Sequence, residues 1–112
     1  MIEESLDLDK AQDIKTIDLK GQTSIADYMI VASGTSTRQV AALAEKIRDR
    51  LKAKGLEYVR IEGLDQCNWV VLDAGDVIVH LFRPEVRDFY NIEKMWQMGG
   101  HSSSHMSGVP AA

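Results

Sequence analysis

Residues 28–55 read YMIVASGTSTRQVAALAEKIRDRLKAKG, and this stretch holds a strand, a tight turn and a helix in succession. Tyr28-Met29-Ile30-Val31-Ala32 is a continuous apolar run, short and partly β-branched, which suits a strand covered on both faces. Gly34-Thr35-Ser36 turns the chain. Ser36 and Gln39 are spaced as a capping box, in which each side chain can satisfy a backbone donor at a helix start. Val40, Leu43, Ala44, Ile47 and Leu51 follow at helical spacing on one side. Lys52 and Lys54 suit the carbonyl end of the helix dipole, and Gly55 stops the helix.

Working outward, residues 2–11 (IEESLDLDKA) predict a short helix, with acidic residues early and Ile2 and Leu6 four apart. Asp13 to Leu19 reads as a half-buried strand with Ile17 and Leu19 on one face, ended by Gly21. On the other side, Tyr58 to Ile61 is a short strand. Trp69-Val70-Val71-Leu72 and Val77-Ile78-Val79-His80-Leu81-Phe82 flank Asp73-Ala74-Gly75-Asp76, a connection short enough to predict a β-hairpin. Pro84 can open a helix, since its missing N–H is not needed in the first turn. Val86, Phe89, Ile92 and Trp96 follow at spacings of three and four and predict an aromatic stripe laid on the sheet. The fold class expected is α/β, a mixed five-stranded sheet packed with helices.

A chain of 112 residues fits one domain with a single core. We assign residues 1–96 to that domain. Residues 97–112 hold no Asp, Glu, Lys or Arg and no periodic apolar face, so they are expected to form a disordered C-terminal tail. No apolar run is long enough to span a membrane, no secretion leader is evident, and Cys67, the single cysteine, cannot form an internal disulfide. A cytoplasmic location is expected.

The 13 Lys and Arg against 17 Asp and Glu give a net charge of −4, which argues against general nucleic-acid binding. The distribution is uneven. Residues 1–35 carry 3 positive and 7 negative side chains, residues 36–54 carry 6 and 2, and residues 55–96 carry 4 and 8. The basic block is thereby confined to one helix, where a solvated face accounts for it.

Gly34-Thr35-Ser36 at a helix start could hold a phosphate. The same short motif marks nucleotidyltransferases, whose next strand carries two carboxylates one residue apart to hold divalent metal. Here that strand reads Tyr58-Val59-Arg60-Ile61-Glu62, and Arg60 at a ligand position repels the ion the chemistry requires. A nucleotide-binding protein of degenerate nucleotidyltransferase type is the alternative function. Asp73 and Asp76 bracket the hairpin turn, where Asp is favoured for its local backbone hydrogen bonds. His80, alone in an apolar strand, is expected to be a satisfied core group, with no nucleophile to serve. Cys67 reads as an unpaired loop thiol, and His101 and His105 carry no metal site. Trp69 begins a strand after the polar loop Asp65-Gln66-Cys67-Asn68, where a large aromatic is either packed or half exposed as a binding anchor.

Several segments together resemble the ribosomal silencing factor (Iojap-like) family. They are Ser24-Ile25-Ala26-Asp27-Tyr28, then Gly34-Thr35-Ser36 with Arg38-Gln39-Val40, Glu62-Gly63 and Trp69. Asp73-Ala74-Gly75-Asp76-Val77-Ile78-Val79-His80 and Arg87-Asp88-Phe89-Tyr90-Asn91-Ile92-Glu93-Lys94-Met95-Trp96 complete the set. The resemblance implies a nucleotidyltransferase-like fold lacking catalytic carboxylates, no enzymatic activity, and no cofactor or metal. It also implies a translational repressor that binds the large ribosomal subunit through its universal protein L-fourteen, blocks joining of the small subunit, and forms a homodimer off the ribosome. Members open with a longer amphipathic helix than the ten or so residues that precede the first strand here, and the segment after Trp96 has no counterpart in their shared pattern.

The partner surface is expected to contain Trp69, Asp73 and Asp76, with Arg87 and Tyr90 contributed by the last helix. Strand alternation puts Trp69, Val71 and Asp73 on one face, presenting an aromatic and a carboxylate together. Acidic groups around an aromatic suit a basic partner such as a ribosomal protein. Trp69, Phe89, Tyr90, Met95 and Trp96 are many large side chains for the end of so small a fold, and they are expected to supply a dimer contact.

Overall fold

The computed structural model of the chain describes residues 2–56, 58–92 and 94. Met95, Trp96 and the tail expected from residue 97 lie outside the described residues. The elements run α1 (Ile2–Leu8), β1 (Gln12–Asp18), β2 (Tyr28–Ser33), α2 (Thr37–Ala53), β3 (Arg60–Glu62), β4 (Trp69–Asp73), β5 (Val77–Phe82) and α3 (Pro84–Tyr90). The strands form one mixed five-stranded sheet in the order β1-β2-β5-β4-β3. Only β2 and β5 pair in parallel, and the crossover between them is α2 with β3 and β4. Such a parallel pair needs a long connection, whereas the β4–β5 hairpin closes through three residues, Ala74, Gly75 and Asp76.

The apolar run of β2 lies inside the sheet, between β1 and β5, and is buried on both faces. On one face α1 and α2 cover Ile30, Ala32, Val70, Leu72, Val79 and Leu81 with Leu6, Val40, Leu43 and Ile47. Arg50 of α2 ties the two helices together, donating to the Asp9 carboxylate at 2.7 Å and to the Ser5 hydroxyl. On the other face a smaller cluster gathers Ile17, Leu19, Met29, Val31, Phe82 and Ile92, and α3 packs over it. Among the described residues that face is only partly roofed. Val71 and Ile78 stay half-buried and Asp73 is exposed.

The cap of α2 forms with one change. Ser36 Oγ accepts from the Gln39 backbone N–H at 3.1 Å, as the spacing predicts, but Gln39 Oε1 reaches back one residue further and accepts from both the N–H and the hydroxyl of Thr35. Gly34 is needed here because a Cβ would sit 2.9 Å from the Val40 side chain.

Two expectations need correction. The short third strand begins at Arg60, two residues later than Tyr58. The expected final helix is broken: α3 ends at Tyr90, because Asn91 takes the left-handed conformation (φ 48°, ψ 47°) and its N–H closes on the Arg87 carbonyl, and Ile92 and Lys94 are helical again. Asparagine tolerates that conformation better than most residues, and it is a common helix stop. The break lets Ile92 enter the core. The stripe through Phe89 does not form: Phe89 is 79% exposed, and Val86, Arg87 and Tyr90 are the residues turned inward.

Candidate functional site

The partly roofed face of the sheet carries the aromatic residues singled out in the sequence. The hairpin register puts Trp69 opposite Phe82 and Val71 opposite His80. With a side-chain period of two, Trp69, His80 and Phe82 therefore share one face. The Trp69 ring lies 4.8 Å from Phe82 and 4.7 Å from Tyr90 of α3, centroid to centroid, both tilted. These separations are those of favourable aromatic pairs. Trp69 is half-buried, so it packs and is presented at once.

The polar edge of the indole is also engaged. Trp69 Nε1–H donates to His80 Nδ1 at 2.9 Å. Burial pushes the His80 pKa down to about 4, so at neutral pH the imidazole is uncharged, and the indole N–H aimed at Nδ1 selects the tautomer in which that nitrogen accepts. The expectation of a satisfied core histidine is met, and its partner is the site tryptophan.

Beside this ladder lies a groove of about 590 Å³ between the loop before β4 and helix α3, lined by Gln66, Asn68, Trp69, Val86, Phe89 and Tyr90 among others. Its floor depends on Gly63. That residue has φ +95°, and a Cβ there would meet the Trp69 carbonyl oxygen at 2.2 Å, so only glycine lets the loop pass under Trp69. Asn68 Oδ1 accepts from Arg83 Nη1 at 3.2 Å, and the Asn68 carbonyl accepts from Arg83 N–H, which fixes the loop to the start of α3. Phe89 stands at the rim, edge-on to Tyr90 at 5.0 Å.

The other expected residues are spread around this centre. Asp73 shares the face of Trp69 and Val71 at the far end of β4. Its Oδ1 accepts from the Gly75 N–H at 3.0 Å, the local turn bond that its position favours. Asp76 is exposed, and its carbonyl accepts from Asp27 and Tyr28 N–H groups, which joins the hairpin turn to the start of β2. Arg87 is placed differently from an exposed contact. It is buried, and its Nη1 donates to Ser33 Oγ at 2.8 Å, pinning α3 to the end of β2. Trp69 and Tyr90 are thus brought together, Asp73 and Asp76 sit toward the turn, and Arg87 lies beneath.

The phosphate-type turn at Gly34-Thr35-Ser36 has two of its backbone donors, those of Gly34 and Thr35, engaged within the protein. Gly34 N–H bonds to the Phe82 carbonyl, Thr35 N–H to Gln39, and Gln39 N–H to Ser36. Among the described residues no group of three His, Cys, Asp or Glu side chains is arranged to hold a metal ion. Cys67 is buried with φ 56°, and its thiol donates to the Leu64 carbonyl. Burial first, then the Asp65 and Glu45 charges, push its pKa up, so it is a poor nucleophile. No helix among the described residues is long and apolar enough to cross a membrane.

Sequence reasoning missed the groove and the Trp69–His80 bond. The second was within reach, because the hairpin connection sets a register that brings residues 69, 80 and 82 to one face. The groove was not, because it needs the angle at which α3 meets the loop.

Comparison with known proteins points one way. A family described as "Ribosomal silencing factor during starvation" matches residues 1–110, a range that includes most of the segment after Trp96. A Zymomonas mobilis protein named ribosomal silencing factor RsfS is 55% identical over 107 residues, covering 96% of this chain and 80% of its own. A mouse protein named mitochondrial assembly of ribosomal large subunit protein 1 is 37% identical across 80% of this chain and 41% of its own. A crystal structure from Chromobacterium violaceum superposes with a TM-score of 0.83 at 45% identity, covering 86% of this chain and 80% of that one.

Proposed function

Since the chain belongs to the ribosomal silencing factor family, we propose that it is a translational repressor that acts by occupying the large ribosomal subunit. It docks on the subunit's universal protein L-fourteen and stands where the small subunit would join. No chemistry is performed. The fold is of nucleotidyltransferase type with the paired carboxylates missing, Arg60 taking one of the two positions, and the protein works in the cytoplasm.

The observation that carries this reading is the Trp69–Tyr90 platform, half-buried and backed by Phe82, with a groove on one side and the exposed carboxylates of Asp73 and Asp76 on the other. A rigid aromatic pair offers large contact area with few rotamers to freeze, which is how binding hot spots are built. Carboxylates nearby favour a basic partner, and residues 55–96 carry 8 acidic against 4 basic side chains. Opposite fields speed encounter and fix orientation. The basic helix α2 lies on the opposite face of the sheet, away from this platform.

Sucrose-gradient sedimentation with separated ribosomal subunits tests the proposal. The wild-type protein should travel with the large subunit and reduce the yield of joined ribosomes. Trp69→Ala should cost on the order of 2 kcal/mol of binding, about a thirtyfold loss, with the melting transition recorded alongside. A folded Trp69→Ala protein that blocks joining at wild-type concentrations would remove this surface from the proposal.

A further inference from the structure

We infer that His80 is a positioning residue for recognition, holding the Trp69 indole in its presented orientation by accepting its N–H. This rests on the docking surface proposed above and adds a residue that touches no partner itself.

The indole has one donor and no acceptor. On a half-roofed sheet face it has two ways to satisfy that donor: turn toward water, or find a fixed acceptor. His80 Nδ1 at 2.9 Å supplies the second. The imidazole is itself held, stacked on Phe82 at 6.0 Å and 11° and seated between Val31 and Val71 of the adjacent strands. Trp69 is then clamped from three sides: Phe82 across the hairpin, Tyr90 from α3, and His80 at its polar edge. A side chain ordered before binding has less freedom to lose on binding, and that gain appears as affinity.

The surroundings keep His80 in the accepting state. In its row of the sheet the charged groups are Lys15 on β1, behind Val31, and Glu62 on β3, behind Val71. From α3, Tyr90 packs on Trp69 and Arg87 is directed to Ser33. Burial lowers its pKa, so the ring stays neutral at physiological pH, and the indole N–H directed at Nδ1 keeps that nitrogen the acceptor.

Two replacements separate an acceptor from a mere filler. Asparagine offers an oxygen acceptor where Nδ1 stands but leaves part of the ring volume empty. Phenylalanine fills the space and offers no acceptor. His80→Phe should weaken binding to isolated large subunits about tenfold, and His80→Asn should stay within about threefold of wild type. A packing role alone gives the reverse order, and that order would overturn the inference, as would wild-type binding by His80→Phe. The bond has a readout that needs no ribosome. In a Trp96→Phe background one indole N–H signal remains in a ¹H–¹⁵N spectrum. It should shift upfield in His80→Phe, recover in His80→Asn, and titrate in the parent with a midpoint near 4. An indole signal unmoved by His80→Phe would also overturn the inference. Trp69→Ala distinguishes the two levels: if it loses binding while His80→Phe does not, the positioning role alone falls. If folded Trp69→Ala binds as wild type, the docking surface falls and the positioning role with it.

Discussion

Trp69 packs and is presented at once, and under the proposed function the residues around it can be sorted by whether they serve its packing or its presentation. Phe82 and Tyr90 support its ring, His80 holds its N–H, and Gly63 lets the preceding loop lie against its carbonyl. The histidine makes a prediction about stability as well. Its folded pKa is lowered to about 4 from the ordinary 6.5, so between those values the unfolded chain takes up a proton that the folded chain resists. The stabilisation is complete above pH 6.5 and is lost as the pH falls to about 4, on the order of 3 kcal/mol across the window. Urea melts at about pH 7 and about pH 4.5 should show a larger loss for wild type than for His80→Asn. Equal losses would mean that other groups carry the acid sensitivity.

At the level of elements, α3 is the piece whose placement matters most. It is seven residues long, too short to persist alone, so its position comes from what it is fastened to. Pro84 opens it, Asn91 closes it, and Arg87 fastens it to Ser33 at the end of β2. Removing a buried hydrogen-bonded guanidinium costs the bond and the packing of its stem. Arg87→Ala should therefore lower the unfolding free energy by about 2 kcal/mol, read from the urea midpoint, and weaken subunit binding only through that loss of order. An unchanged midpoint with abolished binding would return Arg87 to the role of direct contact. Helix α2 is the opposite case. Its cap, its apolar stripe and its basic last turn are all local, and each forms as the spacing predicts apart from the reach of Gln39 to Thr35.

On the scale of the whole molecule the two faces of the sheet are unequal. One is closed by α1 and α2, while among the described residues the other is roofed by α3 and Ile92, which leave Trp69, Val71, Ile78 and Phe89 partly or wholly uncovered. Apolar surface of this kind marks an interface. We expect the free protein to dimerise through it, so that dimer and subunit complex compete for one surface. Light scattering at high micromolar concentration should report a dimer, and Trp69→Ala should weaken dimer and subunit binding together. A strictly monomeric protein, or a dimer that Trp69→Ala leaves intact, would separate the two interfaces.

The sequence by itself determined which segments become helix or strand and that β4 and β5 form a hairpin. These follow from local physics: side-chain period, capping chemistry and turn residues act over a few neighbours, and so they are legible along the chain. It also put Trp69, Val71 and Asp73 on one face, since strand alternation has no other solution. Only the tertiary structure decided that Arg87 is buried and that Tyr90 rather than Phe89 meets Trp69. Each depends on the rotation and tilt of a seven-residue helix against a sheet, and that is set by contacts between residues distant in sequence: Arg87 with Ser33, Tyr90 with Trp69 and Arg83 with Asn68. A helix stripe read at spacings of three and four allows several neighbouring orientations, and only the packed core selects one.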